Sequence, residues 1–279
     1  MKISEINIYP VKSLSGISLS EAVVEKRGFK NDRRFMLTDE NGEFFTQREF
    51  PKMAMLSIQL NTDSLVLSDF ENKQIEVQFD FEKKDLQKVR VWKSVCDAFV
   101  LPKNINEWLS DYLQTECRMV YMPDESEREI NQLFRQNNEI VSFADGYPFL
   151  LIGENSLKDL NERLENKLPM NRFRPNIVVS VSEAFAEDRW KKIRIGETVF
   201  RSTKPCARCV MTTVEQSEGR FDGKEPLKTL ATYRQAKDVF PGEFETLDLD
   251  KNAVLFGQNL VAENFGEKIK IGDEIRVLA

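Results

Sequence analysis

The first hundred residues alternate apolar and polar positions with the period of two that is typical of strands. The alternation is regular in residues 6–8 and again in residues 75–79. Residues 35–45 predict a hairpin that turns at Asn41-Gly42, because this dipeptide accepts the positive φ angles of a two-residue hairpin turn. From residue 1 to about residue 101 the pattern therefore predicts several short strands, arranged as a small barrel or sandwich.

Helical periodicity predicts a few helices after this first region. The predicted helices are residues 104–114, residues 125–134, a helix capped by Ser156 with Asp159 as its reciprocal partner, and a short segment after Pro226. The rest of the chain returns to strand patterns, notably 177–180, 210–214 and a C-terminal hairpin at 269–277. The charged, proline-containing residues 122–126 mark the candidate domain boundary. The predicted class is α+β and rich in β-structure.

The composition fits a globular protein with a sizeable core. The chain has 279 residues, of which 41% are hydrophobic and 31% charged, enough for one large domain or two ordinary ones. The net charge is −6, from 40 basic and 46 acidic residues, which argues against a general affinity for nucleic acid or acidic membranes. No run approaches the roughly 20 apolar residues that cross a bilayer, and the N-terminus lacks an apolar signal core. We therefore expect a cytoplasmic protein.

The chain contains four cysteines and no histidine. The lack of histidine excludes Ser-His-Asp and Cys-His catalysis, histidine-ligated haem and nearly all catalytic zinc sites. Cys96 and Cys117 are isolated in the sequence, so a disulfide framework is not indicated and reduced thiols are expected. The spacing of the four cysteines does not indicate that they converge, so we predict neither a zinc site nor an iron-sulfur cluster in this chain.

The strongest chemical signal is the pair Cys206 and Cys209. Lys204 and Arg208 flank this pair and favour a thiolate. The β-branched residues that follow, 210–214, place the pair at the entrance to a strand, whereas a thioredoxin-like dithiol needs a helix N-terminus. One interpretation is that both cysteines only pack as small apolar residues. The flanking cations favour another, in which a single thiolate holds a soft metal whose remaining ligands come from a cofactor.

Several cations form a second candidate cluster. A single arginine or lysine is usually a solvated surface group, but Lys12 and Arg174 each lie beside a proline at the edge of an apolar strand. Ser13 and Asn176 add short hydrogen-bonding side chains. Guanidinium groups, a lysine and small polar groups are what a phosphate-bearing ligand requires. The other candidate cations are Arg34, Lys204 and Arg208.

The turn at Asp145-Gly146 precedes the apolar run 149–152. Its structural interpretation is an ordinary β-turn. In a functional interpretation, the exposed amides of the turn and the carboxylate of Asp145 face the polar ring of a ligand.

Five stretches, spread in order over nearly the whole chain, resemble the MOSC proteins. The nearest branch is the mitochondrial amidoxime-reducing component and its bacterial relatives. Lys12-Ser13 alone is a weak match, but the ordered set is specific. The stretches are YPVKS at 9–13, DRRF at 32–35, FRPN at 173–176, CARC at 206–209 with TTV at 212–214, and FGQ at 256–258 through GD at 272–273.

This resemblance implies an N-terminal β-barrel domain in residues 1–120 and a MOSC β-barrel domain with peripheral helices in residues 121–279. It also implies a molybdenum cofactor, a pyranopterin whose dithiolene sulfurs hold the metal and whose phosphate end is anionic. Cys209 matches the residue that ligates molybdenum and is the implied catalytic residue, while Cys206 has no assigned role. The residues that match contacts to the pterin and phosphate are Lys12, Ser13, Arg34, Arg174, Asn176 and Arg208. The turn at Asp145 and Gly146 falls where the family also approaches the cofactor. Ala207 replaces a serine of many relatives, so only its backbone can contribute.

By the same resemblance, the expected activity is the reduction of N-hydroxylated compounds such as amidoximes, hydroxylamines and N-hydroxylated bases. Mitochondrial relatives have an N-terminal membrane anchor and several bacterial ones have a C-terminal ferredoxin domain, and we expect neither here. Electrons would then come from a separate ferredoxin-, flavodoxin- or cytochrome b5-like protein and its reductase. Two alternatives stay open: a non-catalytic carrier or maturation protein for the cofactor, and thiol redox chemistry by Cys206 and Cys209.

Overall fold

Strands form most of the regular secondary structure in the computed structural model, which describes residues 1–278. In chain order they are β1 (Lys2–Ile8), β2 (Ile17–Leu19), β3 (Glu21–Glu25), β4 (Gly28–Phe29), β5 (Phe35–Thr38), β6 (Ser57–Leu60), β7 (Ser64–Ser68), β8 (Gln74–Gln78), β9 (Leu86–Val91), β10 (Ser94–Val100), β11 (Arg118–Tyr121), β12 (Phe149–Gly153), β13 (Ile177–Ser180), β14 (Lys192–Ile195), β15 (Thr198–Ala207), β16 (Val214–Glu215), β17 (Arg220–Phe221), β18 (Leu255–Ala262), β19 (Lys268–Lys270) and β20 (Ile275–Leu278).

The helices are short and lie between strands. They are α1 (Lys103–Leu113), α2 (Glu154–Glu162), α3 (Leu227–Leu230), α4 (Ala236–Val239) and the 3₁₀-helices Pro51–Met55, Met170–Phe173, Ala186–Arg189 and Val210–Thr213. Within residues 1–278, no helix has the length and apolar character needed to cross a membrane.

The largest sheet combines strands from both ends of the chain. Its strand order is β2-β1-β13-β12-β18-β15-β14-β20. β12 and β13 are parallel, and the other neighbouring pairs are antiparallel. Because Ile6 lies opposite Ile177, the loop after β1 reaches the same edge of the sheet as the loop before β13. The N-terminal segment is therefore part of the structure that the C-terminal half forms.

Smaller sheets contain the remaining strands of the first half of the chain, and one of them also includes β19 from the C-terminal end. The sheets have the orders β5-β11-β10-β9, β6-β7-β8 and β19-β3-β4. α1 buries Ile105, Leu109 and Leu113, whose spacing of four residues puts them on one helix face. Leu109 and Leu113 belong to a core that also contains Leu67 of β7. The large sheet has a separate core, which includes Phe149.

Several predicted elements are confirmed. The helix predicted at 104–114 is α1, and the strand predicted at 177–180 is β13. The short helix after Pro226 is α3. The turn at Asn41-Gly42 reverses the chain so that Thr38 bridges Phe44. Gly42 is required there, because its φ angle is +81° and a Cβ atom would lie 2.4 Å from the carbonyl oxygen of Lys88.

The helix predicted at 125–134 is wrong. These residues form turns and extended segments. Ile130 is buried while Leu133, one helical turn away, is exposed, so the apolar side chains do not share a helix face. Arg128 is instead buried and donates to the carbonyl oxygens of Ser142, Ala144 and Asp145 at 2.7 to 2.9 Å.

The cap predicted at Ser156 is also wrong. α2 begins after Gly153, and Ser156 lies inside the helix. Its buried hydroxyl donates to Oε1 of Glu187 at 2.7 Å, so it serves a tertiary contact. Asp159, the expected partner of the cap, accepts from Arg163 one turn later.

Two predicted strand features differ in the structure. Residues 210–213 form a 3₁₀-helix, because the hydroxyls of Thr212 and Thr213 donate to the carbonyls of Cys209 and Val210 and close the turn locally. The C-terminal strands β19 and β20 follow each other but do not pair. β19 pairs with β3 and β20 pairs with β14, so the predicted C-terminal hairpin is wrong.

Candidate functional site

A cleft at one edge of the large sheet collects side chains from distant parts of the chain. They come from the loops after β1 and before β5, the turn before β12, the 3₁₀-helix Met170–Phe173, and the end of β15. Of the residues that the resemblance implies for cofactor binding, all but Arg34 line this cleft. Those that do are Lys12, Ser13, Asp145, Gly146, Arg174, Asn176, Ala207, Arg208 and Cys209.

Arg34 lies outside the cleft lining, and its neighbour Arg33 takes part instead. The Arg34 guanidinium donates to the carbonyl oxygen of Met122 at 2.6 Å and to Asp124 at 2.7 Å. Arg33 has a φ angle of +49°, and this left-handed turn sends the two side chains in different directions. The sequence alone does not distinguish the two arginines.

Cys206 and Cys209 lie at the exit of a strand. β15 ends at Ala207, so their predicted position at a strand entrance is wrong. β15 is irregular around Pro205, because proline lacks the N–H that would extend the ladder. The backbone N–H of Arg208 then donates to the carbonyl of Val254 at 2.8 Å, which fixes the loop that carries Cys209.

The two thiols differ in exposure and in their cations. Cys209 is exposed and Cys206 is half-buried, and neither forms a disulfide. Nη1 of Arg208 lies 2.9 Å from Sγ of Cys206. The guanidinium near Cys209 belongs to Arg48, whose Nη1 lies 3.6 Å from Sγ. Lys204, predicted to act on the pair, donates to the carbonyl of Asp248 at 2.8 Å instead.

Lys12 and Asp145 form an ion pair across the cleft. Nζ of Lys12 lies 2.5 Å from Oδ1 of Asp145 and 2.8 Å from the carbonyl oxygen of Phe143. Burial lowers the pKa of Lys12 to about 8, although Asp145 opposes this shift. Loss of hydration beside the surrounding protein would by itself raise the pKa of Asp145, but Lys12 and Arg48 hold it well below its usual range. The Asp145 side chain is 57% exposed, so water weakens the pair.

Two guanidinium groups stack on Tyr9. The Cζ atoms of Arg174 and Arg33 lie 4.1 and 4.4 Å from the centre of its ring. Nη1 of Arg33 is also fixed by Asn176 Oδ1 at 3.0 Å. Burial raises the pKa of Tyr9 to about 12, despite the two cations, and burial lowers the pKa of Arg174 to about 10. The pair concentrates positive charge beside the cleft.

Three buried guanidinium nitrogens at the cleft have no hydrogen-bond partner among the described residues. They are Nε of Arg172, Nη2 of Arg174 and Nε of Arg208. Nη1 of Arg174 donates to the carbonyl of Leu14 at 2.7 Å, so this arginine is oriented and still has an unused donor. A buried donor without an acceptor is rare and costs roughly 1–3 kcal/mol. Guanidinium groups with unused donors are suited to the oxygens of a phosphate, so the residues fit a phosphate-bearing ligand.

Arg172, which also lines the cleft, was not predicted from the sequence. Its side chain is 1% exposed and forms ion pairs with Glu215 and Asp222. It also donates to the carbonyl of Thr212. Arg172 therefore joins the 3₁₀-helix before Arg174 to the segment after Cys209. Arg48 was missed as well, and no spacing in the sequence relates either arginine to the cysteines.

The other two cysteines belong to the hydrophobic cores. Cys96 and Cys117 lie in different clusters of buried residues. Burial raises the pKa of both thiols, that of Cys117 to about 11. In the part of the chain that the structure describes, no group of three or more cysteine, aspartate or glutamate side chains is arranged to hold a metal ion.

Comparison with known proteins identifies the family. The model of the MOSC N-terminal beta barrel domain matches residues 1–116, and that of the MOSC domain matches residues 138–276. Human mitochondrial amidoxime-reducing component 1 is 33% identical over 286 residues, which cover 99% of this chain and 82% of the human protein. Cattle mitochondrial amidoxime reducing component 2 is 32% identical over 282 residues, covering 98% and 82%. The chain therefore belongs to the family of MOSC-domain proteins that includes the mitochondrial amidoxime-reducing components.

Proposed function

We propose that this chain binds the molybdenum cofactor in the cleft and reduces N-hydroxylated compounds. One observation carries the proposal. The same cleft holds an exposed thiol and three buried guanidinium nitrogens without partners among the described residues. A thiolate is a soft ligand suited to such a metal, and the guanidinium groups suit the phosphate. Its similarity to the mitochondrial amidoxime-reducing components supports a reductive activity on amidoximes.

The proposal assigns roles to several residues of the cleft. Cys209 ligates the metal, while Arg174 and Arg208 bind the phosphate end. Arg33, rather than the predicted Arg34, completes the cationic wall. Asn176 orients Arg33, and Ser13, Gly146 and Ala207 offer small groups that allow close approach. When bound, the cofactor supplies the two electrons that reduce the N–O bond, whose oxygen leaves as water.

Few titratable side chains at the cleft could donate a proton to the substrate. In a chain without histidine, the proton donors available to the reaction are water and the remaining titratable side chains. The shifted pKa values of Asp145 and Tyr9 lie far from neutrality on opposite sides, so neither suits a proton donor at pH 7. Lys12, with a pKa of about 8, is closer. It holds a proton at Nζ between Asp145 and the carbonyl of Phe143.

The proposed electron donor is a separate protein of the ferredoxin, flavodoxin or cytochrome b5 type, together with its reductase. Residues 1–278 contain no cysteine cluster arranged for an iron-sulfur centre.

The cytoplasmic location expected from the composition stays a prediction.

The test is to purify the protein from cells that synthesise the cofactor. Elemental analysis should give close to one molybdenum per chain. Benzamidoxime, with reduced methyl viologen as electron donor, should then be converted to benzamidine. Stoichiometric molybdenum without turnover would favour the carrier alternative. Turnover by metal-free protein would favour thiol chemistry and contradict the proposal.

A further inference from the structure

Trp92 has a backbone conformation and a solvent exposure that are both unusual for a tryptophan. It is the first residue of the two-residue turn between β9 and β10, with Val91 opposite Ser94. Its φ angle is +57°, in the left-handed region where asparagine and glycine are preferred and bulky residues are rare. It is also 50% exposed. Such residues persist where the surrounding structure holds them, and they cluster at functional sites.

Three contacts hold the indole at the mouth of the cleft. Nε1 of Trp92 donates to Oδ1 of Asp145 at 3.2 Å. The ring centroid of Phe44 lies 5.3 Å away, in an edge-to-face arrangement. Cζ of Arg48 lies 4.6 Å from the indole centroid. The side chain is thereby fixed in orientation while half of the residue stays open to solvent.

Arg48 links this indole to the thiol of Cys209. Its Nη1 atom lies 3.6 Å from Sγ of Cys209 and 3.4 Å from Sδ of Met211. The loop that carries Arg48 is anchored by the neighbouring Gln47, which is fully buried and donates to the carbonyl of Ser13 at 2.8 Å. Arg48 thus contacts both the indole of Trp92 and the sulfur that would hold the metal.

We infer that Trp92, oriented by Arg48, is the specificity-determining contact for the planar, conjugated part of the substrate. This inference rests on the proposed function. A fixed indole offers a large apolar face at little cost in conformational entropy, and a conjugated ring stacks on it favourably. Aryl amidoximes and N-hydroxylated bases should therefore be better substrates than alkyl amidoximes. An alkyl group offers no π-face for this contact.

The test compares benzamidoxime with acetamidoxime, which carries the same reacting group on a methyl. Trp92→Asn removes the indole but suits the left-handed turn, so the variant should fold. Its kcat/KM for benzamidoxime should fall roughly 10-fold, and that for acetamidoxime should change less than about 2-fold. Trp92→Phe should retain most of the preference. Phe70→Asn is the matched control, because Phe70 is 65% exposed and does not line the cleft.

Calorimetric titration of the molybdenum-loaded protein with both amidoximes gives a readout that does not depend on turnover. Benzamidoxime should bind roughly 10-fold more weakly to Trp92→Asn than to wild type, at unchanged molybdenum content. Equal losses for both amidoximes, no loss for either, or loss of molybdenum from Trp92→Asn would overturn the inference. If wild-type protein binds molybdenum but does not turn over, the proposed function fails, and the titration still decides the role of Trp92.

Discussion

The guanidinium of Arg48 lies 3.6 Å from the sulfur of Cys209, although 161 residues separate them. Arg208, the immediate neighbour of Cys209 in the sequence, contacts Cys206 instead, at 2.9 Å. Each thiol therefore has its own cation. The difference in exposure between the two thiols leads to different expectations for their substitution.

Cys209→Ser should abolish molybdenum binding, whereas Cys206→Ser should retain it. A serine hydroxyl is a harder and far less acidic ligand than a thiol. Cys206 is half-buried and already contacts Arg208. Elemental analysis of both variants checks this. If both substitutions impaired activity equally at full molybdenum content, thiol exchange would be the better explanation.

Arg174→Ala should weaken cofactor retention roughly 10- to 100-fold, as expected for loss of a buried, charge-assisted hydrogen bond of about 1.5–3 kcal/mol. The reason is the unused Nη2 donor at the cleft. The molybdenum that remains after exhaustive dialysis measures the effect. Arg189→Ala is the control, since Arg189 is 67% exposed and pairs only with Glu183 on the surface. Equal occupancy in both variants would make Arg174 an ordinary structural residue.

Lys12 should titrate near pH 8 in nuclear magnetic resonance of the lysine side chains, because burial disfavours its charged form. Lys12→Arg assigns the signal by removing it. Asp145→Asn should move the midpoint lower, since the carboxylate raises the pKa of Lys12. A midpoint near that of exposed lysines would contradict the burial of this ammonium group.

The titration of Lys12 should make both the free energy of unfolding and the retention of an anionic ligand depend on pH. The folded-state pKa of about 8 lies below the ordinary value of 10.5, so the folded protein binds fewer protons in that window. The contribution of Lys12 to the free energy of unfolding therefore increases as pH rises from 8 to 10.5. Retention of an anionic ligand should fall over the same range, because the positive charge is lost, and Lys12→Arg should remove this pH dependence.

Glu215→Gln combined with Asp222→Asn should destabilise the fold more than Arg172→Met does. The double variant leaves a cation that is 1% exposed without a counter-charge, at a cost of about 3 kcal/mol. Arg172→Met leaves carboxylates that are 24% and 50% exposed, which water can solvate. Urea unfolding measures both changes in the free energy of unfolding. A larger loss for Arg172→Met would show that the packing of Arg172 outweighs its charge.

The predictions that succeeded depended on local spacing. α1 was predictable because Ile105, Leu109 and Leu113 recur at helical intervals, and β13 because its apolar run follows a proline. The failures at 125–134 and 210–214 have a different origin. Arg128 binds carbonyls of a distant turn, and Thr212 and Thr213 bind carbonyls beside them. These hydrogen bonds, rather than the pattern of apolar positions, determine the backbone conformation of the two segments.

The sequence by itself determined the chemical groups that are available: one motif with two thiols, a set of arginines and a lysine, no histidine, and the strands that carry them. The tertiary structure decided which cation faces which sulfur, and that Arg33 rather than Arg34 lines the cleft. The physical reason is that a left-handed turn sends neighbouring side chains in different directions. Antiparallel pairing of β1 with β13 meanwhile brings together residues that are far apart in the chain.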